Sequence, residues 1–526
     1  MATGTTFSFE GRTIAARPGQ SVASALHAAG VRILARSPKY RRPRGYTCGF
    51  GACGNCALTI DGLPGVAACT AAVRGGEVIS RERGWPSASL DLLRAADLFA
   101  RFLPAGFQFR LFRSHPWLAR QAAAVMARLA GTGTLPTATA APSRRPVPVT
   151  DASDVLVAGG GLSGCAAALA AAGAGATVVL VHHGELGGRS LARVHPVARA
   201  GAQAPAREMA ARLAGEVASH PRIKVIRGTA LGWYEGGVVP LLTTRELVEC
   251  RPRHLIAATG SYDVPALHPG NDKPGVMLAD GVGRMLAVDR VAPGKRAVVL
   301  TDSVRGYWLA AQLRESGVSV VALVDQRANP GADLTVLTDD TVLIGSTALA
   351  GNTALAGNTA LAGNTALAGN TALAGNTALA GNTALAGDTA LSHRTMPDAG
   401  AAPDQHRAAR IPVLVGSDVI RATGLRHVRR VLVATPRGRH CLAADLLCIA
   451  LGEQPANELA LQWRYDQAGS TDAVAGGWQE SGTDAADLGL TVVGSAAGWA
   501  GDDIDRATLA GARAARLCAA KLGCSQ

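Results

Sequence analysis

The sequence predicts an α/β protein in which a small mixed domain precedes a larger body built on parallel sheet. Three observations carry this expectation. Four cysteines crowd between positions 48 and 69 in a glycine-rich stretch. From Asp154 onward, Val-rich runs alternate with Ala-rich helical ones, the pattern of a parallel sheet covered on both faces. Tandem hexapeptides fill 345–392, between segments that resume that alternation.

Length and composition set outer bounds. A chain of 526 residues has room for roughly two to four domains and a large core. The net charge of +13 comes almost wholly from arginines, none of them grouped into a tract. With no nucleic-acid motif beside them, a nucleic-acid partner is not expected. The start, "MATGTTFSFEGRTIAARPGQ", has no apolar core of the kind a secretory signal needs. The apolar stretch Val155–Val181 is broken by glycines and reads as strand, turn, helix and strand, with no transmembrane segment. A cytoplasmic location is therefore expected. In such a chain, clustered cysteines point to a metal site before a disulfide framework.

The first domain spans 1–84. "FSFEGRTIAA" is a hairpin turning at Glu10–Gly11. "SVASALHAAG" is a short helix opened by Ser21 and closed by Gly30. Strands follow at "CALTID", "GVAACTAAV" and "EVISRE". Residues 85–150 read as a helical connector ending in the linker "GTGTLPTATAAPSRRPVP". The remainder divides into 151–268, an insertion at 269–435 holding the repeats, and a return at 436–526.

The cysteine spacing is Cys48-x4-Cys53-x2-Cys56-x12-Cys69, the plant-type 2Fe–2S arrangement. Two irons and two sulfides need four thiolates, two per iron. Three come from one tight loop, and the fourth is expected on a neighbouring strand. Gly49, Gly51 and Gly54 free the loop for positive φ and bring backbone N–H groups towards the sulfurs. Structural zinc usually has two paired ligand arms, whereas the second arm here is one cysteine. The other cysteines lack redox spacing and read as structural.

Gly159-x-Gly161-x-x-Gly164 follows a strand and opens a helix, the context a dinucleotide fingerprint requires. Gly159 makes the turn, Gly161 admits a pyrophosphate, and Gly164 lets helix and strand approach. The next strand ends at His182, where an acid normally bonds the ribose hydroxyls; His182 or nearby Glu185 can substitute. Later segments favour FAD over NAD at this site. These are Thr259-Gly260 in "HLIAATGSYDVP", "LLCIALGEQPANE" read as the strand returning to this domain, and Gly494 in "LTVVGSAAGWAG". Gly188, in the turn after His182, joins the predicted cofactor contacts. A second βαβ unit at 296–325 keeps only Gly306 in its turn, with Asp325 ending its second strand. NAD is weakly supported there, and a scaffold role is favoured. No catalytic acid or base stands out.

The repeats are GSTALA, six copies of GNTALA, and GDTALS. Leucines at this spacing scatter around a helix but share one face of a strand, and hexapeptides do build strand solenoids. The near-identity of the copies favours the other reading, a recent expansion forming a surface loop, because packed arrays need atypical ends.

Together these parts predict a ferredoxin-like (β-grasp) 2Fe–2S domain. A two-dinucleotide-domain flavoprotein fold follows it, Rossmann-like and of the glutathione-reductase type, with the hexapeptide-repeat insertion. The stretches "SPKYRRPRGYTC", "FLPAGFQFRLF", "RPRHLIAATGSYDVP" and "NDKPGVMLADGV" resemble the α subunit of heterotetrameric sarcosine oxidase and its relatives. Those relatives include opine oxidase, proline and hydroxyproline dehydrogenase, and hydrogen cyanide synthase subunits. The resemblance implies a subunit of a complex oxidising a small amine or imino acid. A partner flavoprotein subunit, β-subunit-like, would oxidise substrate, and electrons would leave to an external acceptor. Sarcosine oxidase α chains carry a C-terminal folate-binding domain, whereas this sequence stops at Gln526, so folate-coupled chemistry is not expected. They also often lack the cluster cysteines, all four of which are present here. Two alternatives stay open: a stand-alone NAD(P)H-dependent ferredoxin-type reductase, and a non-catalytic assembly subunit with a structural dinucleotide.

Overall fold

The computed structural model describes residues 4–82, 153–193, 206–330, 411–468, 490–497 and 504–523 with a few single gaps. It also describes the strand backbone between 340 and 392 and scattered positions between 90 and 121. The expected linker and "FLPAGFQFRLF" lie outside the described residues. The chain forms two compact units, 1–136 with 264–452, and 137–263 with 453–526.

The first unit begins with a five-stranded mixed sheet. Its order is Arg12–Ala16, Thr5–Phe9, Val78–Ser80, Ala57–Ile60, Leu63–Ala67, with one parallel pair, Thr5–Phe9 beside Val78–Ser80. Glu10 and Gly11 both take positive φ, 50° and 77°, which matches the twist of a two-residue hairpin. Helix Val22–Ala28 starts at Ser21, whose hydroxyl accepts from the Ser24 amide. Gly30, at φ 85°, closes it in the left-handed conformation. The helix packs Leu26 against Phe7, Phe9, Leu58 and Ile79.

This unit also holds a parallel sheet running Val276–Leu278, Leu446–Ala450, Arg296–Thr301, Ser319–Asp325, Ile411–Leu414 and on into Asp340–Ile344, and an antiparallel sheet of Asp418–Thr423, Arg430–Thr435 and Gly438–Ala443. Leu446–Ala450 is buried at every position, as expected of a strand covered on both faces. Two expectations change here. "LLCIA" belongs to this sheet and not to the first dinucleotide domain. The chain therefore leaves the second unit after Asp263 and returns at Glu453, not at 269 and 436. Strand pairing decides this: Leu446–Ala450 hydrogen-bonds between Val276–Leu278 and Arg296–Thr301. The hexapeptide backbone runs as short parallel strands, each pairing with the strand three repeats later. Thr347 opposes Thr365, which opposes Thr383.

The second unit carries a seven-stranded sheet. Its order is Leu247–Cys250, Val239–Thr243, Ile223–Ala230, Val178–His182, Val155–Ala158, His254–Ala257, Leu490–Val492. Val155–Ala158 is fully buried and parallel to both neighbours. Helix Leu162–Gly173 follows it, and Ile504–Lys521 packs along that helix. Gly511 makes the approach feasible, because a β-carbon there would lie 2.2 Å from the Ser163 carbonyl oxygen. Ser261–Asp263 and Glu453–Pro455 pair antiparallel where the chain departs and returns. Among the described residues, no helix is long and apolar enough to cross a membrane.

Candidate functional site

The four predicted ligands meet in the first unit. Cys48, Cys56 and Cys69 are buried and Cys53 is exposed. Cys48 contacts Cys53 and Cys69, and Cys56 contacts Cys69. No three of these sulfurs crowd round one point as ligands of a single ion would. Cys48 lies between Cys53 and Cys69, and Cys69 lies between Cys48 and Cys56. Contact with Cys53 and Cys69 pulls the Cys48 thiol well down, and contact with Cys48 pushes Cys53 and Cys69 up.

Backbone N–H groups surround the sulfurs. The Gly51 amide donates to Cys69 Sγ at 3.2 Å. Phe50 and Cys53 amides face Cys48, and that of Ala68 faces Cys56. Such donors stabilise negative charge on thiolate and cluster. Gly49 sits at φ 79°, and a β-carbon on it would lie 2.8 Å from Gly281 Cα and 2.9 Å from Tyr46 Oη. The four thiols, their donors and the glycine loop fit a 2Fe–2S cluster. One expectation is corrected: the strand in "GVAACTAAV" stops at Ala67, and Cys69 lies in the following turn. The Thr70 amide and hydroxyl both donate to the Ala67 carbonyl, and this reversal aims Cys69 at the loop.

Sequence reading missed the loop's support. Tyr46 is 2% exposed, and burial, then Cys69, raises its phenol well above the ordinary value, so it stays protonated. Leu278 donates to the Thr47 carbonyl at 3.0 Å. A β-carbon on Gly281 would stand 2.4 Å from that oxygen. The signal was the chemistry-free glycine in "NDKPGVMLADGV", which position 281 needs for packing.

The dinucleotide turn lies in the second unit. Gly159 has φ 118°, and its β-carbon position is 2.1 Å from the Ala258 carbonyl oxygen. Gly164's position is 1.9 Å from the Gly159 carbonyl oxygen. Gly161, by contrast, meets nothing within 4 Å. It caps helix Leu162–Gly173 with no side-chain bond to the first amides. Open space before uncapped N–H groups at a positive helix end fits a pyrophosphate. The other predicted contacts gather here. Gly188 approaches Gly161 Cα, with its β-carbon position 2.9 Å away, and Gly494 packs on Ser163. The Thr259 hydroxyl donates to the Ala456 carbonyl. Gly260, at φ 84°, lies beside Arg189 and Ser495. His182 Nδ1 is buried without a hydrogen-bond partner, and burial lowers the ring's pKa, so it is neutral. A neutral imidazole can donate or accept with a hydroxyl. Arg189, bonded to Ser261 at 2.5 Å and paired with Glu453 at 3.5 Å, was not foreseen. Its partners lie far off in sequence. Cys165, packed in the first helix, has its thiol pushed up to about 11 by burial, as an inert core residue should.

The second βαβ turn is filled differently. A β-carbon on Gly306 would stand 2.3 Å from Thr301 Cβ, and the Thr301 hydroxyl bonds the Ser303 and Ala450 carbonyls. Asp325 accepts from Tyr307 Oη at 2.8 Å and from Arg327 Nη2 at 2.8 Å. The carboxylate that would meet a ribose is thus already engaged.

Comparison with known proteins matches the two regions that hold these residues. Residues 2–84 match the family model for a 2Fe-2S iron-sulfur cluster binding domain. Residues 154–236 match that for an FAD dependent oxidoreductase. The chain is similar to sarcosine oxidase subunit alpha of Rhizobium meliloti, at 34% identity over 62% of this chain and 35% of that protein. It spans about a third of that relative's length. It is also similar to hydrogen cyanide synthase subunit HcnA of Pseudomonas aeruginosa, at 38% identity over 15% of this chain and 73% of that one. The fold resembles L-proline dehydrogenase from P. horikoshii, with a TM-score of 0.53 and 19% identity over 94% of this chain and 69% of that chain.

Proposed function

We propose that this chain, which is similar to sarcosine oxidase subunit alpha and is an oxidoreductase with FAD and 2Fe–2S cofactors, has the following role. It is the electron-transfer subunit of an enzyme that oxidises a small amine or imino acid. A partner flavoprotein subunit oxidises the substrate, and this chain passes the electrons to an external acceptor. One observation carries the reading: four cysteine thiols linked by mutual contacts share a chain with an open dinucleotide turn.

In this reading Cys48 and Cys53 hold one iron, and Cys56 and Cys69 the other. Gly51 and its neighbouring amides stabilise negative charge at those sulfurs. Gly161 and the helix it opens receive the FAD pyrophosphate. His182 meets a ribose hydroxyl, and Gly188, Thr259, Gly260 and Gly494 let backbone approach the cofactor. Bound FAD handles an electron pair and the cluster single electrons, which is the chemistry the protein itself lacks. The exposure of Cys53 supports electron exit at the loop tip, since transfer falls with distance from the surface.

The rival in which the protein works alone as an NAD(P)H reductase is disfavoured by the engaged Asp325 and by Thr301 filling the second turn. Untagged purification from the native host under anaerobic conditions tests the proposal. Extracted FAD, a 2Fe–2S EPR signal after dithionite, and a co-eluting amine-oxidising flavoprotein are expected. Cofactor-replete protein that elutes alone and oxidises NADH rapidly would overturn it.

A further inference from the structure

The cluster loop holds one hydrogen-bond donor that nothing else in the described structure uses. Tyr46 is 2% exposed, and its hydroxyl has no hydrogen-bond partner. Buried O–H groups in native proteins are almost always bonded. This one lies 2.9 Å from the β-carbon position of Gly49, inside the loop, and interacts electrostatically with Cys56 and Cys69. Arg284 approaches the same point, with its Cδ 3.5 Å away. Its Nε is buried without a hydrogen-bond partner, and its guanidinium stands over the Phe50 ring at 5.7 Å. Asp289 is the neighbouring anion, at 3.9 Å from Arg284 Nε. That carboxylate already accepts from the Ser21 amide and hydroxyl, each at 3.0 Å.

The geometry points to Tyr46 and Arg284 as a pair that sets the cluster's reduction potential: the Tyr46 hydroxyl donates a hydrogen bond to the cluster, and Arg284 holds a fixed positive charge beside it. This rests on the reading of Cys48, Cys53, Cys56 and Cys69 as its ligands. Reduction adds one electron and therefore one negative charge. A donor and a cation in a buried setting stabilise that added charge, which raises the potential. Asp289 offsets part of the Arg284 charge, and Ser21 donates to both of its oxygens. The pair also explains why position 49 is glycine beyond its positive φ: any side chain there would displace the hydroxyl. Tyr46 and Arg284 are positioning residues. Neither replaces a ligand.

An EPR-monitored redox titration of anaerobically purified holoprotein tests this. Tyr46→Phe and Arg284→Gln are each expected to keep the EPR signal but lower the midpoint. A tenfold loss in the reduced-to-oxidised ratio at fixed potential corresponds to about 59 mV for one electron. Proton ENDOR on the reduced wild type in H2O and D2O should show an exchangeable coupling that Tyr46→Phe lacks. An unchanged midpoint in Tyr46→Phe with full signal overturns the proposal. If Tyr46→Phe fails to retain the cluster, Arg284→Gln and Arg284→Lys decide. A lower midpoint in the first, restored in the second, upholds it, and an unchanged midpoint in Arg284→Gln overturns it. A wild type with no 2Fe–2S signal would instead remove the ligand assignment itself.

Discussion

The Gly159 carbonyl oxygen lies 1.9 Å from the point where a β-carbon on Gly164 would sit. Strand end and helix start are therefore in backbone contact. Two residues away, Gly161 faces open space. The same fingerprint thus contains two glycines that packing requires, Gly159 and Gly164, and one, Gly161, that packing leaves free.

Gly164→Ala is expected to destabilise the second unit by about 1–3 kcal/mol or more, because the collision is with backbone. Gly161→Ala should leave the thermal midpoint nearly unchanged but reduce FAD content, since the methyl group enters the space meant for the pyrophosphate. Differential scanning fluorimetry and the flavin-to-protein absorbance ratio separate the two. Equal loss of stability in both variants would contradict this division.

Serine at Cys48, Cys56 or Cys69 should abolish or strongly distort the dithionite-reduced EPR signal. Alanine at the buried Cys165 or Cys448 should leave it unchanged. Burial pushes both of those thiols up, which makes them poor ligands. An intact signal in Cys69→Ser would remove the assignment of the fourth ligand to the turn after Ala67.

Mixed anaerobically with NADH or NADPH, the protein should keep its flavin absorbance over the mixing time of a stopped-flow instrument. Tyr307 and Arg327 hold Asp325, and Thr301 occupies the turn that would cradle phosphate. Rapid bleaching would revive the reductase reading.

His27 makes a pH-dependent contribution to stability. Its Nε2 meets the Pro293 carbonyl at 2.9 Å, and burial, then Arg32, lowers its pKa to about 3. Between about 3 and the ordinary value near 6.5, the unfolded chain binds a proton that the folded chain does not. Its stabilising effect is therefore complete above about pH 6.5 and declines as pH falls towards 3. The decline is about 1.4 kcal/mol per unit in that window. Comparing denaturant midpoints at about pH 7.5 and 5.5 for wild type and His27→Gln checks this. The variant should lose less on acidification, and equal losses would refute the linkage.

Local chemistry made much of this protein legible. Glu10–Gly11, the Ser21 cap and Gly30 specify their turns through backbone preferences that act within a few residues. The four cysteines and the glycine fingerprint carry their spacing in the chain itself, so the cofactors could be read directly. Boundaries were less legible. "LLCIA" is an apolar run that fits either parallel sheet, and only its pairing with Val276–Leu278 and Arg296–Thr301 chose one. Cys69 looked like a strand residue because period-two alternation does not mark where a strand stops.

The sequence by itself determined which cofactors the chain is built to hold, because ligand type and glycine placement are local constraints. Tertiary structure alone decided which cysteines lie in contact, that Tyr46 and Arg284 stand at the cluster loop, that Arg189 lies beside Gly260, and that Asp325 is already engaged. Each depends on residues distant in sequence meeting within a few ångströms. Such meetings follow from the summed packing of whole sheets and helices, which no short stretch of chain encodes.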